Sequence, residues 1–117
     1  MRCPRTGLGI FASSLLALVM ALSGCSADRQ IERARYLASH DHPEEAIRIL
    51  HRQLPKINDT KQLCEGYVVL GDALVNLGRV PDAFTAYEKA MLAEPRALAP
   101  QQKTAELLVA TGSGEKA

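Results

Sequence analysis

The stretch that decides the fold is residues 64–97, CEGYVVLGDALVNLGRVPDAFTAYEKAMLAEPRA, which contains two runs of helical periodicity. In the first run, large apolar residues fall on or beside the helical face that carries Gly71: Tyr67, Leu70 and Leu74. The second run repeats the spacing with Ala83, Tyr87 and Ala90. Small and large apolar residues at these offsets predict two helices that pack against each other.

This 34-residue pattern, closed by Pro95, resembles a tetratricopeptide repeat (TPR). The resemblance implies a helix-turn-helix unit that cannot bury its apolar face alone and stacks on neighbouring units. We therefore expect an all-α fold, a short TPR-like array of helical hairpins with about five helices.

A second, degenerate repeat is predicted at residues 26–60. Matching Ala46 to Ala83 and Ala34 to Gly71 gives the same offset of 37 residues, so both hairpins keep one internal spacing. Polar residues replace three apolar ones in the first hairpin, which is expected to pack less well: Gln30 for Tyr67, Arg33 for Leu70 and Gln53 for Ala90.

Helix boundaries follow from capping signals. Asp28 is expected to start the first helix, which ends near Ser39, and Pro43 suits the first turn of the second, which ends at Pro55.

Asp59 is expected to cap a third helix, with Gln62 completing a capping-box-like pair, and Gly78 to end it. Pro81 and Pro100 suit the first turns of two more helices, the second a cap helix at 98–111. Gln101, Gln102, Lys103 and Glu106 are expected to form its polar outer face, and residues 112–117 a disordered tail.

Residues 1–24 are predicted to be a cleaved signal peptide. Arg2 and Arg5 precede an uncharged, mostly apolar stretch of 15 residues, shorter than the roughly 20 that a spanning helix needs. The tetrapeptide Leu22-Ser23-Gly24-Cys25 resembles the lipobox of bacterial lipoproteins. That resemblance implies acylation of Cys25 and a durable membrane anchor, since two or more acyl chains hold stably. The alternative is an uncleaved signal anchor in which Cys25 is incidental.

Ser26 after the cysteine resembles the outer-membrane sorting signal of such lipoproteins. We expect a bacterial envelope protein facing the periplasm, with its domain, residues 25–111, close against the bilayer because only Ser26, Ala27 and Asp28 form a linker. Loss of Arg2 and Arg5 leaves 12 of the 14 basic residues against 13 acidic ones. This balance indicates neither nucleic-acid binding nor a polybasic membrane patch.

No catalytic constellation is evident. His40, Asp41, His42 and His51 fall within twelve residues, but a turn and a helix separate them, so solvated histidines are favoured over a zinc site. Cys64, the one cysteine left beside Cys25 after cleavage, is interpreted as an apolar packing residue, and Tyr67, Phe84 and Tyr87 as core aromatics. We expect no enzyme activity, no metal and no cofactor.

The resemblance to TPR arrays also implies a concave trough lined by the first helix of each hairpin. The corresponding positions are Arg35, Glu65, Val68, Asp72, Val75, Asn76, Gln102 and Glu106. A clamp for a peptide carboxylate has only Arg35 and Asn76 to draw on, opposed by Asp72 and Glu106. A solvated helical face remains the alternative for all of these charged residues.

The expected function is a non-catalytic, protein-binding adaptor that is tethered by lipid at Cys25 and holds a protein or peptide partner in the trough. The alternative is a pilotin-like assembly factor that escorts a secretion or pilus subunit to the outer membrane. Because one good repeat, one degenerate repeat and a cap fall short of the roughly three units that arrays need, self-association is a further possibility.

Overall fold

The computed structural model describes the backbone of residues 12–112 and the side chains of residues 26–112. Within that part of the chain there are five α-helices, a short 3-10 helix and no strand. The helices are α1 (Ala12–Ser39), α2 (Pro43–Gln53), α3 (Thr60–Asn76), α4 (Val80–Ala93) and α5 (Leu98–Thr111), with the 3-10 helix Leu54–Lys56 following α2. The expected all-α array of about five helices is confirmed, and the arrangement is compatible with a small TPR-like array.

The start predicted for the first helix is wrong. Asp28 does not begin it, because α1 starts at Ala12 and runs without a break through residue 25 to Ser39. Residues 12–24 contain no proline and no charge, so nothing there interrupts a helix. The predicted cleavage site therefore lies inside a continuous helix. Residues 1–11 of the predicted signal peptide, and the predicted tail beyond Gly112, lie outside the described residues.

In the part of the chain that the structure describes, no helix combines the length and the apolar character that a membrane-spanning helix needs.

Most capping signals have the predicted roles. The backbone N–H of Gln62 donates to Oδ2 of Asp59 at 3.0 Å, which caps α3, and Pro43 and Pro81 lie in the first turns of α2 and α4. Gly78 has a φ of 77°, the left-handed conformation that ends α3 at little steric cost for glycine. The capping-box role of the Gln62 side chain is wrong, because its amide donates 2.5 Å to Oδ1 of Asp28 on α1.

The core is built on close helix contacts at small residues. Ala34, Ala46 and Ala83 are completely buried. The 37-residue offset relates Ala34 to Gly71 and Ala46 to Ala83. The Tyr87 ring of α4 packs on Gly71 of α3, where a β-carbon would lie 2.7 Å from Cδ1 and 2.8 Å from Cζ of that ring. Tyr87 is buried, as predicted, and Tyr67 and Phe84 pack against the core as half-buried residues.

Of the three polar residues that replace apolar ones in the first hairpin, Gln30 and Arg33 lie beside residues of α2 in a shallow polar depression. Arg33 is exposed and pairs with Oε1 of Glu45 at 3.5 Å, whereas its counterpart Leu70 is buried in the core. Gln30 and Gln53 are half-buried. A polar edge is therefore present where a preceding repeat would stack in a longer array.

Candidate partner-binding groove

A groove of about 430 Å³ lies between α1, α3 and α5, the first helices of the two hairpins and the last helix. This is the position that the TPR resemblance implies for a trough. Its walls are contributed by twelve residues: Arg35, Ala38, Ser39, Val69, Asp72, Val75, Asn76, Tyr87, Lys103, Glu106, Leu107 and Ala110.

Five of the eight predicted trough residues line this groove, namely Arg35, Asp72, Val75, Asn76 and Glu106. The other three do not. Glu65 lies toward the start of α3, where it pairs with Nη2 of Arg35 at 3.7 Å, and Val68 is half-buried beside the groove-lining Val69. Gln102 is exposed on the outer side of α5. The accessible valine of this groove is Val75, which is half-buried, whereas Val69 is almost completely buried.

Asp72 is held by groups from two other helices. The Tyr87 hydroxyl of α4 donates to Oδ1 of Asp72 at 2.6 Å, and Nζ of Lys103 on α5 lies 3.5 Å from the same oxygen. Burial raises the pKa of Tyr87 well above its ordinary value, and the hydrogen bond to Asp72 and the charges of Asp72 and Glu106 act in the same direction. The carboxylate of Asp72 therefore joins α3, α4 and α5 at one wall of the groove.

Asn76 is also engaged by the fold. Its amide nitrogen donates to the backbone oxygen of Ala38 at 2.6 Å. Ala38 lies in the last turn of α1, where backbone carbonyls have no partner within the helix. Asn76 therefore ties α3 to the end of α1 through one of the two N–H groups of its amide. The second N–H group and the amide oxygen are left for a ligand, so the role of Asn76 in a carboxylate clamp stays a prediction.

Arg35 sits at the opposite wall, between two carboxylates. One guanidinium nitrogen contacts Oε1 of Glu32 on the same helix, and the other lies 3.7 Å from Glu65 of α3. All three side chains are about half exposed, so these pairs are weak and screened by salt. Arg35 remains free to exchange its partners for a ligand carboxylate.

The predicted polar outer face of α5 is wrong in two of its four residues. Lys103 and Glu106 line the groove, and the outer face carries exposed Leu98 and Val109 beside Gln101 and Gln102. The physical reason is the helical period, which sets Lys103, Leu107 and Ala110 on one face and Leu98, Ala105 and Val109 on the other. The same period, applied to α5 from Lys103, could have identified the missed groove residues.

The other groove residues that the sequence did not indicate come from three helices. Ala38 and Ser39 are at the end of α1, Val69 is a buried residue of α3, and Tyr87 reaches the groove from α4. Small or buried residues carry no chemical signature, so only the packing reveals them.

The cysteine and the histidines that were candidates for catalysis or metal binding do not line the groove. Cys64 is buried, and burial, followed by the charges of Glu94 and Glu65, raises the pKa of its thiol, which disfavours the nucleophilic thiolate. His40 stacks on Tyr36 with ring centroids 3.9 Å apart. In the part of the chain that the structure describes, no three His, Cys, Asp or Glu side chains are grouped so that they could hold a metal ion.

The sequence matches no protein-family model and no curated protein, and no solved structure matches the fold.

Proposed function

We propose that this chain is a non-catalytic adaptor of the bacterial envelope that binds a segment of a partner protein in the groove between α1, α3 and α5. The observation that carries the proposal is the groove itself, a concave surface of about 430 Å³ that spans both hairpins and α5. Grooves of this kind accept a helix or an extended peptide, with apolar anchors supplying most of the affinity.

The groove chemistry favours a segment that combines apolar side chains with few charges. Val75 and Ala110 are the accessible apolar residues of the groove, and Ala38, Val69 and Leu107 line it as buried residues. The charges are balanced: Arg35 and Lys103 are cationic, and Asp72 and Glu106 are anionic. Such a surface offers little long-range attraction, so hydrophobic burial is expected to dominate the affinity and the polar groups to set the register.

The proposal includes a lipid anchor at Cys25 that holds the array at the periplasmic face of the outer membrane. It is supported by the Leu22-Ser23-Gly24-Cys25 tetrapeptide, by Ser26 and by the preceding apolar stretch. A Cys25→Ser variant is expected to leave the membrane fraction as an unlipidated protein. If the variant stays in the membrane fraction, and the parent protein carries no additional mass of acyl chains, the lipid anchor is contradicted.

The groove is tested by site-specific photocrosslinking in cells. A photoreactive amino acid is placed at Ala110, which lines the groove, or at Ala105, an exposed alanine on the outer face of the same helix. We expect a discrete crosslinked partner from position 110 and none from position 105. Equal crosslinking at both positions, or crosslinking at position 105 alone, would place the partner elsewhere.

A further inference from the structure

Because consecutive helices run in alternating directions, the helix ends lie at two opposite ends of the array. At the end here called proximal, α1 passes Asp28, α2 ends, α3 and α5 begin and α4 ends. Two hydrogen bonds connect these segments: Gln62 to Asp28 at 2.5 Å and Thr60 to Glu94 at 3.0 Å. The opposite, distal end contains the end of α1, the start of α2 and the turn between α3 and α4.

Charges are segregated between the two ends. Five exposed basic residues from different segments gather at the proximal end: Arg29, Arg52, Lys56, Lys61 and Arg96. The distal end carries four acidic residues, Asp41, Glu44, Glu45 and Asp82. Two arginines oppose them: Arg79 lies 2.7 Å from Asp82, and Arg33 lies 3.5 Å from Glu45. The near-zero net charge of the whole chain conceals this separation.

Three acidic residues also lie at the proximal end, so the five basic residues leave an excess of two positive charges there, and each of the three carboxylates accepts a hydrogen bond within the fold. Asp28 accepts from Gln62, Asp59 from the backbone of α3, and Glu94 from Thr60. The five basic side chains, in contrast, have no carboxylate within 4 Å among the described residues. The proximal end therefore offers guanidinium and ammonium groups that are free to bind phosphate.

The position of the membrane follows from α1. The helix continues past Asp28 through residue 25, about 4.5 Å farther along its axis, into the uncharged apolar stretch. Whether acylated Cys25 or the apolar stretch holds the chain, the bilayer meets the proximal end.

From this juxtaposition we propose that the proximal end docks on the phosphate groups of anionic lipids. The array would stand with its helices steeply inclined to the bilayer and its acidic distal end away from it. This inference rests on the membrane anchorage of the proposed function and adds an electrostatic contact to it. Folding would assemble this basic surface from five separate segments, which the net charge of the whole chain does not reveal.

The experiment uses the full chain in lipid nanodiscs that carry a headgroup-chelated gadolinium ion, with residue-resolved NMR of backbone amides. Neutral phosphatidylcholine discs are compared with discs containing phosphatidylglycerol. We expect the amides of the non-proline residues in 59–62 and 94–97 to broaden in the anionic discs much more than those of the non-proline residues in 41–45 and 79–82. The difference should disappear at roughly 0.5 M salt, because screening weakens exposed charges.

Paired variants then assign the effect to the proximal charges. Each basic residue near an anionic surface contributes a factor of about five, so K56Q/K61Q should lower the docking equilibrium roughly 25-fold. R48Q/R79Q removes two exposed positive charges from elsewhere and should leave the broadening at residues 59–62 nearly unchanged.

The outcomes separate this inference from the anchor. Equal broadening of the proximal amides in neutral and anionic discs would overturn lipid-phosphate docking while the anchor stands, and would leave the basic end for an acidic protein surface. Equal losses in the two double variants would overturn it as well. Absence of broadening in both kinds of disc would overturn the membrane anchorage and this inference together.

Discussion

Replacing Gly71 by alanine should destabilise the protein although alanine is the better helix former. The new β-carbon would overlap the Tyr87 ring, with Cε1 as the nearest atom and Cδ1 and Cζ at 2.7 and 2.8 Å. Contacts below 3.0 Å require that one partner move. Tyr87 cannot move freely, because its ring is buried in the core and its hydroxyl is fixed by Asp72 at 2.6 Å.

The change in the free energy of unfolding is the sum of one stabilising and two destabilising contributions. Alanine in place of glycine inside a helix stabilises by about 1 kcal/mol. Overpacking a filled core costs about 1–3 kcal/mol. Displacing the ring also strains or breaks the bond to Asp72, and a hydrogen bond to a charged group is worth about 1.5–3 kcal/mol. The expected net loss is about 1.5–5 kcal/mol, which lowers the Tm of a domain of this size by at least about 6 °C.

Thermal unfolding followed by circular dichroism measures the loss, with Gly66→Ala as the matched control in the same helix. At Gly66 the added β-carbon would overlap one atom, the terminal Cδ2 of Leu54 at 2.6 Å, and lie at ordinary contact distance from Cγ of Leu54 and Cδ1 of Ile31. The end of a flexible leucine side chain can rotate away. G66A should therefore stay within about 1 kcal/mol of the parent protein. A G71A protein as stable as the parent, or no less stable than G66A, would refute the argument that the Tyr87 ring is fixed against Gly71.

Three further predictions test other contacts. Asn76→Ala removes the 2.6 Å hydrogen bond to the Ala38 carbonyl and should lower the free energy of unfolding by about 1 kcal/mol, or the Tm by about 4–8 °C. The control Asn58→Ala, at an exposed position, should leave the Tm almost unchanged. Equal Tm values for the two variants would contradict a stabilising role of the bond. Gly78→Ala forces alanine to a φ of 77° and should cost about 1 kcal/mol in urea unfolding; an unchanged midpoint would mean that the turn tolerates another conformation. The raised pKa of Tyr87 keeps its hydroxyl protonated in the folded state, so the contribution of this hydroxyl to stability is complete below pH 10 and decreases as the pH rises further. The difference in unfolding free energy between the parent protein and Tyr87→Phe should therefore shrink above pH 10. A constant difference up to pH 11 would contradict this prediction.

The local signals in the sequence were sufficient for much of the fold. The Asp59 cap, the left-handed Gly78 and the prolines at helix starts act through the backbone within a few residues, so their effect is visible in sequence. The first helix was misjudged for a related reason. Asp28 has the chemistry of a cap, but an uninterrupted helix-compatible stretch precedes it, and its carboxylate is used by Gln62, 34 residues away.

The groove was predictable in position and only partly in chemistry. A helical face locates Asp72, Val75 and Asn76, but their partners come from sequence separations that no periodicity encodes: Tyr87 is 15 residues from Asp72, and Ala38 is 38 residues from Asn76. The segregation of charge between the two ends was invisible for the same reason. Net charge sums over the chain, whereas hairpin topology decides which charges become neighbours.

The most direct test of the central claim is the affinity of the captured partner segment for Ala110→Glu compared with Ala105→Glu. Both variants place the same charge on an exposed alanine of α5, but only residue 110 lines the groove. Burying an unpaired carboxylate against Val75 and Leu107 should weaken binding at least tenfold in A110E, while A105E binds like the parent. Equal affinity of the two variants, with both folded by circular dichroism, would contradict the groove as the partner-binding site.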